Sequence, residues 1–140
     1  MVLLDPGEWN LKYVPPIWMS MLSAHYIYNY LEMKAIYNNK ILIGFFMLTS
    51  EIKPVYLDCF IIDKKYQNKG LGNKCIQKII RYIKSNYRIN KFYLSTSNPI
   101  AFHLYEKNGF HKLNNKMADK YKTKYNEFLL VYKLKKLNNN

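Results

Sequence analysis

The stretch Tyr66-Gln67-Asn68-Lys69-Gly70-Leu71-Gly72-Asn73 decides the fold and function predicted for this chain, because it joins a predicted strand to the most regular predicted helix. The N-terminus of a helix exposes unpaired N–H groups and carries a partial positive charge. The two glycines allow a phosphate to approach this backbone without meeting a Cβ atom. The side chains that suit a pyrophosphate here are those of Gln67, Asn68, Lys69 and Asn73. The stretch therefore predicts an anion site.

The pair Gly70 and Gly72 does not identify the anion, but it excludes two common phosphate-binding motifs. Gly70-x-Gly72 does not begin a dinucleotide fingerprint, because residue 75 is a cysteine and Asn90 and Lys91 stand about 20 residues further on, where an acidic residue should hold the ribose. A P-loop is excluded because no Gly-Lys-Ser/Thr sequence follows. Taken alone, the pair is equally compatible with a tight turn between a strand and a helix.

Upstream of this stretch, hydrophobic spacing predicts one helix and three strands. The helix covers 16–25, and the strands cover 33–37, 41–50 and 55–62. The first two strands form a predicted hairpin about the turn pair Asn38-Asn39, since asparagine tolerates positive φ.

Downstream, a helix over 71–84 has one apolar stripe, with lysines on its other faces. The stripe consists of Leu71, Cys75, Ile76, Ile79, Ile80 and Ile83. A strand over 91–95 follows, and then a helix that opens at Asn98-Pro99 and closes at Asn108-Gly109. The last predicted strands cover 110–113 and 127–133, and a lysine- and tyrosine-rich loop over 117–125 joins them. This order predicts an α/β or α+β fold with helices on both faces of a sheet.

Length and composition indicate the class of protein. The chain has 140 residues, of which 49% are hydrophobic, enough for a single domain over 1–140 with a short N-terminal region (1–32) and a polar tail (135–140). No apolar run approaches the roughly 20 residues that span a bilayer, and the start lacks the basic leader of a signal peptide. We therefore expect a cytoplasmic protein with no membrane partner. Cys59 and Cys75 lack the spacing of a zinc site, so we expect two buried thiols and no metal.

The net charge of +13 favours anionic partners, which include nucleic acid, acidic membranes and phosphorylated cofactors. A solvated basic surface explains the same charge, since the chain is rich in Lys, Asn, Ile and Tyr together. The basic residues are scattered and no nucleic-acid motif is present, so nucleic acid is the less favoured partner.

Two motifs resemble the signatures of one known family. Gln67-x-x-Gly70-x-Gly72 is similar to the Arg/Gln-x-x-Gly-x-Gly/Ala signature of the GNAT family of N-acetyltransferases. The stretch Asn98-Pro-Ile-Ala-Phe-His-Leu-Tyr105-Glu-Lys-Asn-Gly109-Phe110 resembles the family's Asn-x-x-Ala-x-x-x-Tyr-x-x-x-Gly-Phe. The motifs stand in the family's order, and the similar region runs from about residue 33 to residue 110. The resemblance implies a mixed, mostly antiparallel central sheet flanked by helices, and acetyl-CoA as co-substrate.

The resemblance also implies which residues bind the cofactor. In the family, the strand before the loop pairs its backbone with the pantetheine arm, which implies Phe60, Ile61 and Ile62. The loop and the start of the helix bind the pyrophosphate, which implies Gln67, Asn68, Lys69, Gly70, Leu71, Gly72 and Asn73. The asparagine of the second motif contacts the cofactor, which implies Asn98.

Acetyl transfer to an amine requires a neutral amine, a stabilised oxyanion and a proton for the leaving thiolate. By resemblance, Tyr105 protonates the thiolate, although its helix spacing alone is better explained by a core aromatic residue. A backbone N–H near Ile61 or Ile62 would stabilise the oxyanion.

Asp58 is the candidate general base. Strand alternation places it on one face with Phe60 and Ile62, and apolar neighbours would raise its pKa. In the spermidine/spermine subgroup of the family an acidic residue at this position lies in the acceptor site. A hydrogen-bonded structural aspartate is the alternative, and Glu51 is the reserve base. We assign no role to the histidines, which are His25, His103 and His111.

The predicted function is N-acetyl transfer from acetyl-CoA to a primary amine of a small molecule or peptide by direct attack. The acceptor stays open among polyamines, amino sugars, small amines and protein termini. Only about 32 residues precede the first predicted strand, where the family builds much of the acceptor pocket, so that pocket is open, completed by a partner subunit or lost. Dimers are frequent in the family, which makes a homodimer a candidate. The alternative function is a catalytically degenerate GNAT-fold module whose basic surface binds nucleic acid or protein.

Overall fold

The computed structural model describes residues 31–49 and 54–135. The helix predicted over 16–25, together with His25 and Glu51, lies outside the described residues. In chain order the elements are β1 (Leu31–Asn38), β2 (Ile41–Thr49), β3 (Leu57–Ile62), α1 (Leu71–Asn86), β4 (Lys91–Thr96), α2 (Pro99–Lys107), β5 (His111–Lys112), α3 (Lys116–Tyr125) and β6 (Phe128–Lys133).

The first sheet contains β1, β2 and β3 in that order, and both neighbouring pairs are antiparallel. The β1–β2 turn consists of Asn39 and Lys40, whose φ angles are 48° and 68°. The predicted turn pair was therefore placed one residue too early, because Asn38 still pairs with Ile41 in the ladder. A two-residue hairpin requires positive φ at both central positions, and here a lysine adopts the second.

The first sheet is held by apolar side chains that point to one face of its strands. Met47, Cys59 and Ile61 form a buried cluster, with Met33 and Phe45 packed against it. Gly44 allows the backbones of β2 and β3 to approach closely, since a Cβ atom there would stand 2.2 Å from the carbonyl oxygen of Ile61.

Helix α1 begins at the predicted residue, Leu71, and ends at Asn86, two residues beyond the predicted end. The apolar stripe is confirmed, because its buried members are Cys75, Ile76, Ile79, Ile80 and Ile83. The charged residues of the helix are exposed: Lys74, Lys78, Arg81 and Lys84. Apolar residues three and four positions apart share one face of a helix, and burial of this face stabilises α1.

The second sheet has the order β4-β6-β5, and both pairs are antiparallel. Its core includes an aromatic cluster in which the ring of Phe110 lies 5.5 Å from that of Phe92, 5.4 Å from that of Tyr105 and 5.2 Å from that of Tyr132. Phe92 and Phe110 are almost fully buried. The strand predicted over 110–113 is shorter than expected and retains only His111–Lys112.

The predicted loop over 117–125 is wrong, because this segment is helix α3. Asn115 caps its N-terminus by accepting the Ala118 amide at 3.0 Å, and Asn126 ends it with φ 54°. Ala118 is the only buried residue of α3. Its lysine- and tyrosine-rich composition had indicated a loop, but the two caps stabilise a helix here.

The observed class is mixed α+β with antiparallel sheets, which confirms the predicted class. The described strands pair as two three-stranded sheets rather than as one continuous ladder. Within the described ranges, no helix combines the length and the apolar character needed to cross a membrane.

Candidate active site

The connection from β3 to α1 is anchored at its start by Asp63, which is buried. Its backbone N–H donates to the Ile43 carbonyl at 2.7 Å, and its carboxylate accepts the Lys65 amide at 2.9 Å. This second bond caps a single 3-10 turn, Lys64–Tyr66. The loop therefore leaves the sheet in one defined direction.

Gln67, which follows the 3-10 turn, stabilises the same loop by a hydrogen bond back to β3. Its side-chain Nε2 donates to the Ile62 carbonyl at 2.8 Å. The side chain that the sequence assigned to the pyrophosphate is thus hydrogen-bonded to the strand, where it shapes the turn that follows.

The glycine turn exposes the backbone that the sequence predicts as the anion site. Asn68 and Gly70 have φ angles of 59° and 73°, and a Cβ atom on Gly70 would meet none of the described residues within 4 Å. The first turn of α1 follows at once, and its leading N–H groups have no acceptor within the helix. No side chain of residues 31–49 and 54–135 caps these amides. Lys69 and Lys74 are exposed and add positive charge to the positive end of the helix dipole.

The backbone of β3 divides its hydrogen-bonding groups between two sides. In an antiparallel ladder, bonded and non-bonded residue pairs alternate. Because Asp63 donates to Ile43, the pair Phe45–Ile61 is also a bonded one, and the N–H of Ile61 faces β2. The N–H groups of Phe60 and Ile62 therefore point away from β2, at the edge of this sheet. Of the three predicted strand residues, these two present amides to a ligand.

Asp58 lies at a β-bulge in β3. Met47 pairs with Cys59 and Leu48 with Leu57, so Asp58 is the extra residue on this strand. Bulges re-aim side chains and are frequent beside active sites. The strand alternates so that Leu57, Cys59 and Ile61 are buried, while Asp58 keeps contact with solvent.

The protein around Asp58 desolvates its carboxyl and raises its pKa to about 6. The predicted direction of the shift is confirmed. A carboxylate that contacts solvent and titrates near pH 6 is suited to accept a proton at neutral pH. Burial also raises the pKa of the neighbouring Cys59 thiol to about 12, and the charge of Asp58 adds to this shift.

The cysteines and histidines of the described residues do not form a second reactive site. Both cysteines are free and buried, as predicted, and burial also raises the pKa of Cys75. His103 and His111 are exposed. Within the described ranges, no three His, Cys, Asp or Glu side chains are grouped as a metal site.

The second motif begins with a capping residue, as predicted. Asn98 is buried, and its Oδ1 accepts the amides of Ile100 at 3.0 Å and Ala101 at 3.4 Å. Pro99 follows as the first residue of α2. The Oδ1 atom of Asn98 is thus engaged in holding the start of the helix.

Tyr105 lies in the last turn of α2 and is buried. Its backbone carbonyl accepts hydrogen bonds from the backbone amides of Asn108 and Phe110 at 3.0 and 3.1 Å. The Gly109 amide donates to the backbone carbonyl of Glu106 at 3.1 Å. This is a Schellman motif, with Gly109 at φ 95° and the ring of Phe110 packed on that of Tyr105. The motif glycine is required by the positive φ, and the motif phenylalanine fixes the tyrosine ring.

Asn108 is a residue that sequence reasoning missed. Its Nδ2 donates to Asn73 Oδ1 and to the Leu104 carbonyl, both at 2.8 Å. Its Oδ1 accepts from Gln77 Nε2 at 3.3 Å. The local sequence, Asn before Gly, predicts only the end of a helix. It does not reveal a partner 35 residues earlier in the chain.

The model of the acetyltransferase (GNAT) family matches residues 5–110 of this sequence. The chain belongs to this family. The matched region contains both motifs on which the resemblance was based, so the predicted family is confirmed.

One relative in this family is the probable spermine N(1)-acetyltransferase of Bacillus subtilis subsp. natto (strain BEST195). It is 43% identical over 58 residues, which are 40% of this chain and 38% of the relative. The chain thus aligns with less than half the length of this curated relative.

Solved structures of GNAT proteins share the fold. A GNAT family acetyltransferase from Elizabethkingia anophelis, solved with acetyl-CoA bound, has a TM-score of 0.69 at 18% identity, over 96% of this chain and 95% of that one. A spermidine N-acetyltransferase from Vibrio cholerae, in complex with CoA and spermine, has a TM-score of 0.61 at 24% identity, over 76% of this chain and 71% of that one. These likenesses confirm the predicted GNAT fold.

Proposed function

We propose that this chain is an acetyl-CoA-dependent N-acetyltransferase that transfers the acetyl group to a primary amine by direct attack. The observation that carries the proposal is the β3–α1 connection, in which a strand edge leads into a glycine turn and into helix amides that no described side chain caps. Membership of the GNAT family supports it.

The residues present fit the coenzyme in two places. The space beside Gly70 and the leading amides of α1 suit the pyrophosphate, with Asn68, Lys69, Gly70, Leu71, Gly72 and Asn73 around it. The outward amides of Phe60 and Ile62 suit the polar groups of the pantetheine arm. Asn98 stays a predicted contact.

Acetyl-CoA supplies the thioester whose carbonyl carbon the amine attacks. Asp58, directly or through a water, accepts a proton from the amine and leaves a lone pair for attack. The Ile62 amide offers a hydrogen bond to the negative charge that develops on the thioester oxygen. The C–N bond replaces the C–S bond, and the Tyr105 hydroxyl gives a proton to the departing sulfur and regains one from solvent.

Direct attack is favoured over a cysteine-bound acetyl group. The Cys59 thiol has a pKa of about 12, and burial also raises the pKa of Cys75. Nucleophilic attack requires the thiolate, which such groups do not form near neutral pH.

For the acceptor we propose a cationic amine of the polyamine class. The relatives described above are named for spermine and spermidine. Asp58 is the proposed acidic residue for such an acceptor, although the whole chain has a net charge of +13.

The first test is calorimetry with acetyl-CoA, followed by a panel of amines assayed by CoA release. The panel contains spermine, spermidine, an amino sugar and a peptide with a free N-terminus. We expect binding of acetyl-CoA, and the highest kcat/KM with the polyamines. Absence of coenzyme binding would overturn the proposal, whereas turnover confined to another amine would overturn only the acceptor class. No observation on the described residues favours the binding-module alternative, and the cytoplasmic location and the homodimer stay predictions.

A further inference from the structure

The side-chain amides of Asn108 and Asn73 form one hydrogen-bonded unit whose orientation can be worked out. The Leu104 carbonyl is only an acceptor, and the nitrogen of the Asn108 amide lies 2.8 Å from it. The same nitrogen lies 2.8 Å from the Asn73 side chain, which must therefore present its oxygen. The Gln77 Nε2 donates to the remaining Asn108 oxygen at 3.3 Å, which agrees with this assignment.

This orientation determines which polar group of Asn73 is left for a ligand. Its Oδ1 is engaged by Asn108, so its Nδ2 group is the one that faces elsewhere. Within residues 31–49 and 54–135, no acceptor binds that Nδ2 group. An amide that presents N–H donors attracts an anion, whereas the same amide turned by 180° would present a repelling oxygen.

Asn108 also connects two helices. Asn73 lies in the first turn of α1, and Leu104 lies in the last turn of α2 beside Tyr105. The backbone N–H of Asn108 donates to the Tyr105 carbonyl at 3.0 Å. One side chain therefore fixes the start of the first helix against the end of the second.

We propose that Asn108 is a positioning residue for the coenzyme site. It turns the Asn73 amide so that its Nδ2 donors face the diphosphate, and it holds the first turn of α1 against the turn that contains Tyr105. This inference rests on the proposed function, because it assumes that the diphosphate binds at the start of α1.

The test is a double-mutant cycle on the affinity for CoA, measured by calorimetry with the full chain. The variants are Asn73→Ala, Asn108→Ala and the double variant. We expect Asn73→Ala to weaken CoA binding about tenfold and Asn108→Ala roughly three- to tenfold, since each disturbs a charge-assisted hydrogen bond. In the double variant, the loss should exceed that of Asn73→Ala alone by no more than about twofold, because Asn108 acts through Asn73.

Two further variants separate this role from general stability. Asn86→Ala is the matched control, since it removes an exposed amide on the same helix that bonds the Tyr82 carbonyl at 2.8 Å, and it should leave CoA affinity unchanged. Asn108→Asp keeps the shape of the side chain and the acceptor for Gln77, but it cannot donate to Asn73 and it adds a negative charge, so it should weaken CoA binding more than Asn108→Ala does.

A donor that lacks the diphosphate gives a second measurement. We expect Asn108→Ala to lower kcat/KM for acetyl-CoA more than for S-acetylpantetheine. Equal losses with the two donors, or the same loss of CoA affinity with and without Asn73, would show that Asn108 does not act on the diphosphate through Asn73, and would overturn the inference. If the wild-type chain fails to bind CoA, the proposed function itself is wrong. If the wild type binds CoA and Asn108→Ala binds it equally, only this inference fails.

Discussion

The side-chain nitrogen of Gln67 donates to the carbonyl oxygen of Ile62 across 2.8 Å, which closes the loop between β3 and α1. The bond uses the carbonyl of a residue whose amide points away from β2. Gln67 therefore couples the strand edge to the glycine turn, and we expect it to affect coenzyme binding through the shape of this turn.

We predict that Gln67→Met lowers both the stability of the fold and the affinity for CoA. The substitution removes the donor with little change of volume, so unfolding should become easier by about 1 kcal/mol. Gln67→Arg keeps a donor for the Ile62 carbonyl and should retain both properties. Chemical denaturation and calorimetry check the two variants. A loss of affinity in Gln67→Met with unchanged unfolding would mean that Gln67 contacts the coenzyme directly.

The pKa of Asp58 predicts an acidic limb in the activity profile. Because the carboxyl titrates at about 6, kcat/KM for the amine should rise as the pH passes upward through 6. Asp58→Asn should remove this limb and lower turnover roughly 100-fold or more. Steady-state rates between pH 5 and 8, with saturating acetyl-CoA, measure both effects. A limb that persists in Asp58→Asn would assign the proton to another group.

The same shift predicts how stability depends on pH. An aspartate in the unfolded chain titrates at about 3.9, so the folded protein binds the proton more tightly. The contribution of Asp58 to the free energy of unfolding is therefore fully present below about pH 4. It is lost as the pH rises through about 6, because the folded protein must then give up its proton. Asp58→Asn should therefore be more stable than the wild type at pH 8 and equal to it near pH 4. Thermal unfolding at the two values checks this, and an equal difference at both would contradict the raised pKa.

The sequence predicted the parts of the fold that depend on local signals. Helix α1 has its apolar residues on one face, and α2 has a capping asparagine and a terminal glycine, so their start and end could be placed within two residues. The first family motif leads into α1, and the second covers α2 and its two ends. Such signals require no knowledge of distant partners.

The remaining features depend on contacts that are distant in sequence. The bulge at Asp58 exists only in the register with β2, and the Asn108–Asn73 bond joins residues 35 positions apart. Helix α3 was missed because its many lysines indicate a loop, and Ala118 is its only buried residue. The bond from Gln67 to the Ile62 carbonyl could not be predicted, because the polarity of a side chain does not reveal which acceptor it binds.

We predict that Tyr105→Phe binds acetyl-CoA normally but turns over roughly 100-fold more slowly, since it removes only the hydroxyl that we propose as the proton donor to the thiolate. The ring should keep its place, because its packing on Phe110 at 5.4 Å involves no hydroxyl. Tyr132→Phe is the matched control in the same aromatic cluster and should retain its rate. Calorimetry and CoA release measure the two properties. Unchanged turnover in Tyr105→Phe would remove this residue from the mechanism.

Gly70 allows a direct test of the anion site, because the effect of its positive φ can be separated from the effect of the open space beside it. Its φ of 73° disfavours any side chain, while the space beside it is open. Gly70→Ala should cost about 1 kcal/mol of stability from the backbone alone. Gly70→Asn should cost less, since asparagine tolerates this conformation, yet it fills the same space. We expect both variants to weaken CoA binding about tenfold or more, because their Cβ atoms would stand where we propose that the diphosphate binds.

The control for backbone strain is Asn126→Ala, which places alanine at φ 54° outside the proposed site. It should lower stability and leave CoA affinity unchanged. Unfolding curves and calorimetry on the three variants decide the point. If the loss of CoA affinity parallels the loss of unfolding stability in all three variants, Gly70 is required only for the conformation of the turn. If Gly70→Asn folds well and still fails to bind CoA, the space beside residue 70 belongs to the coenzyme.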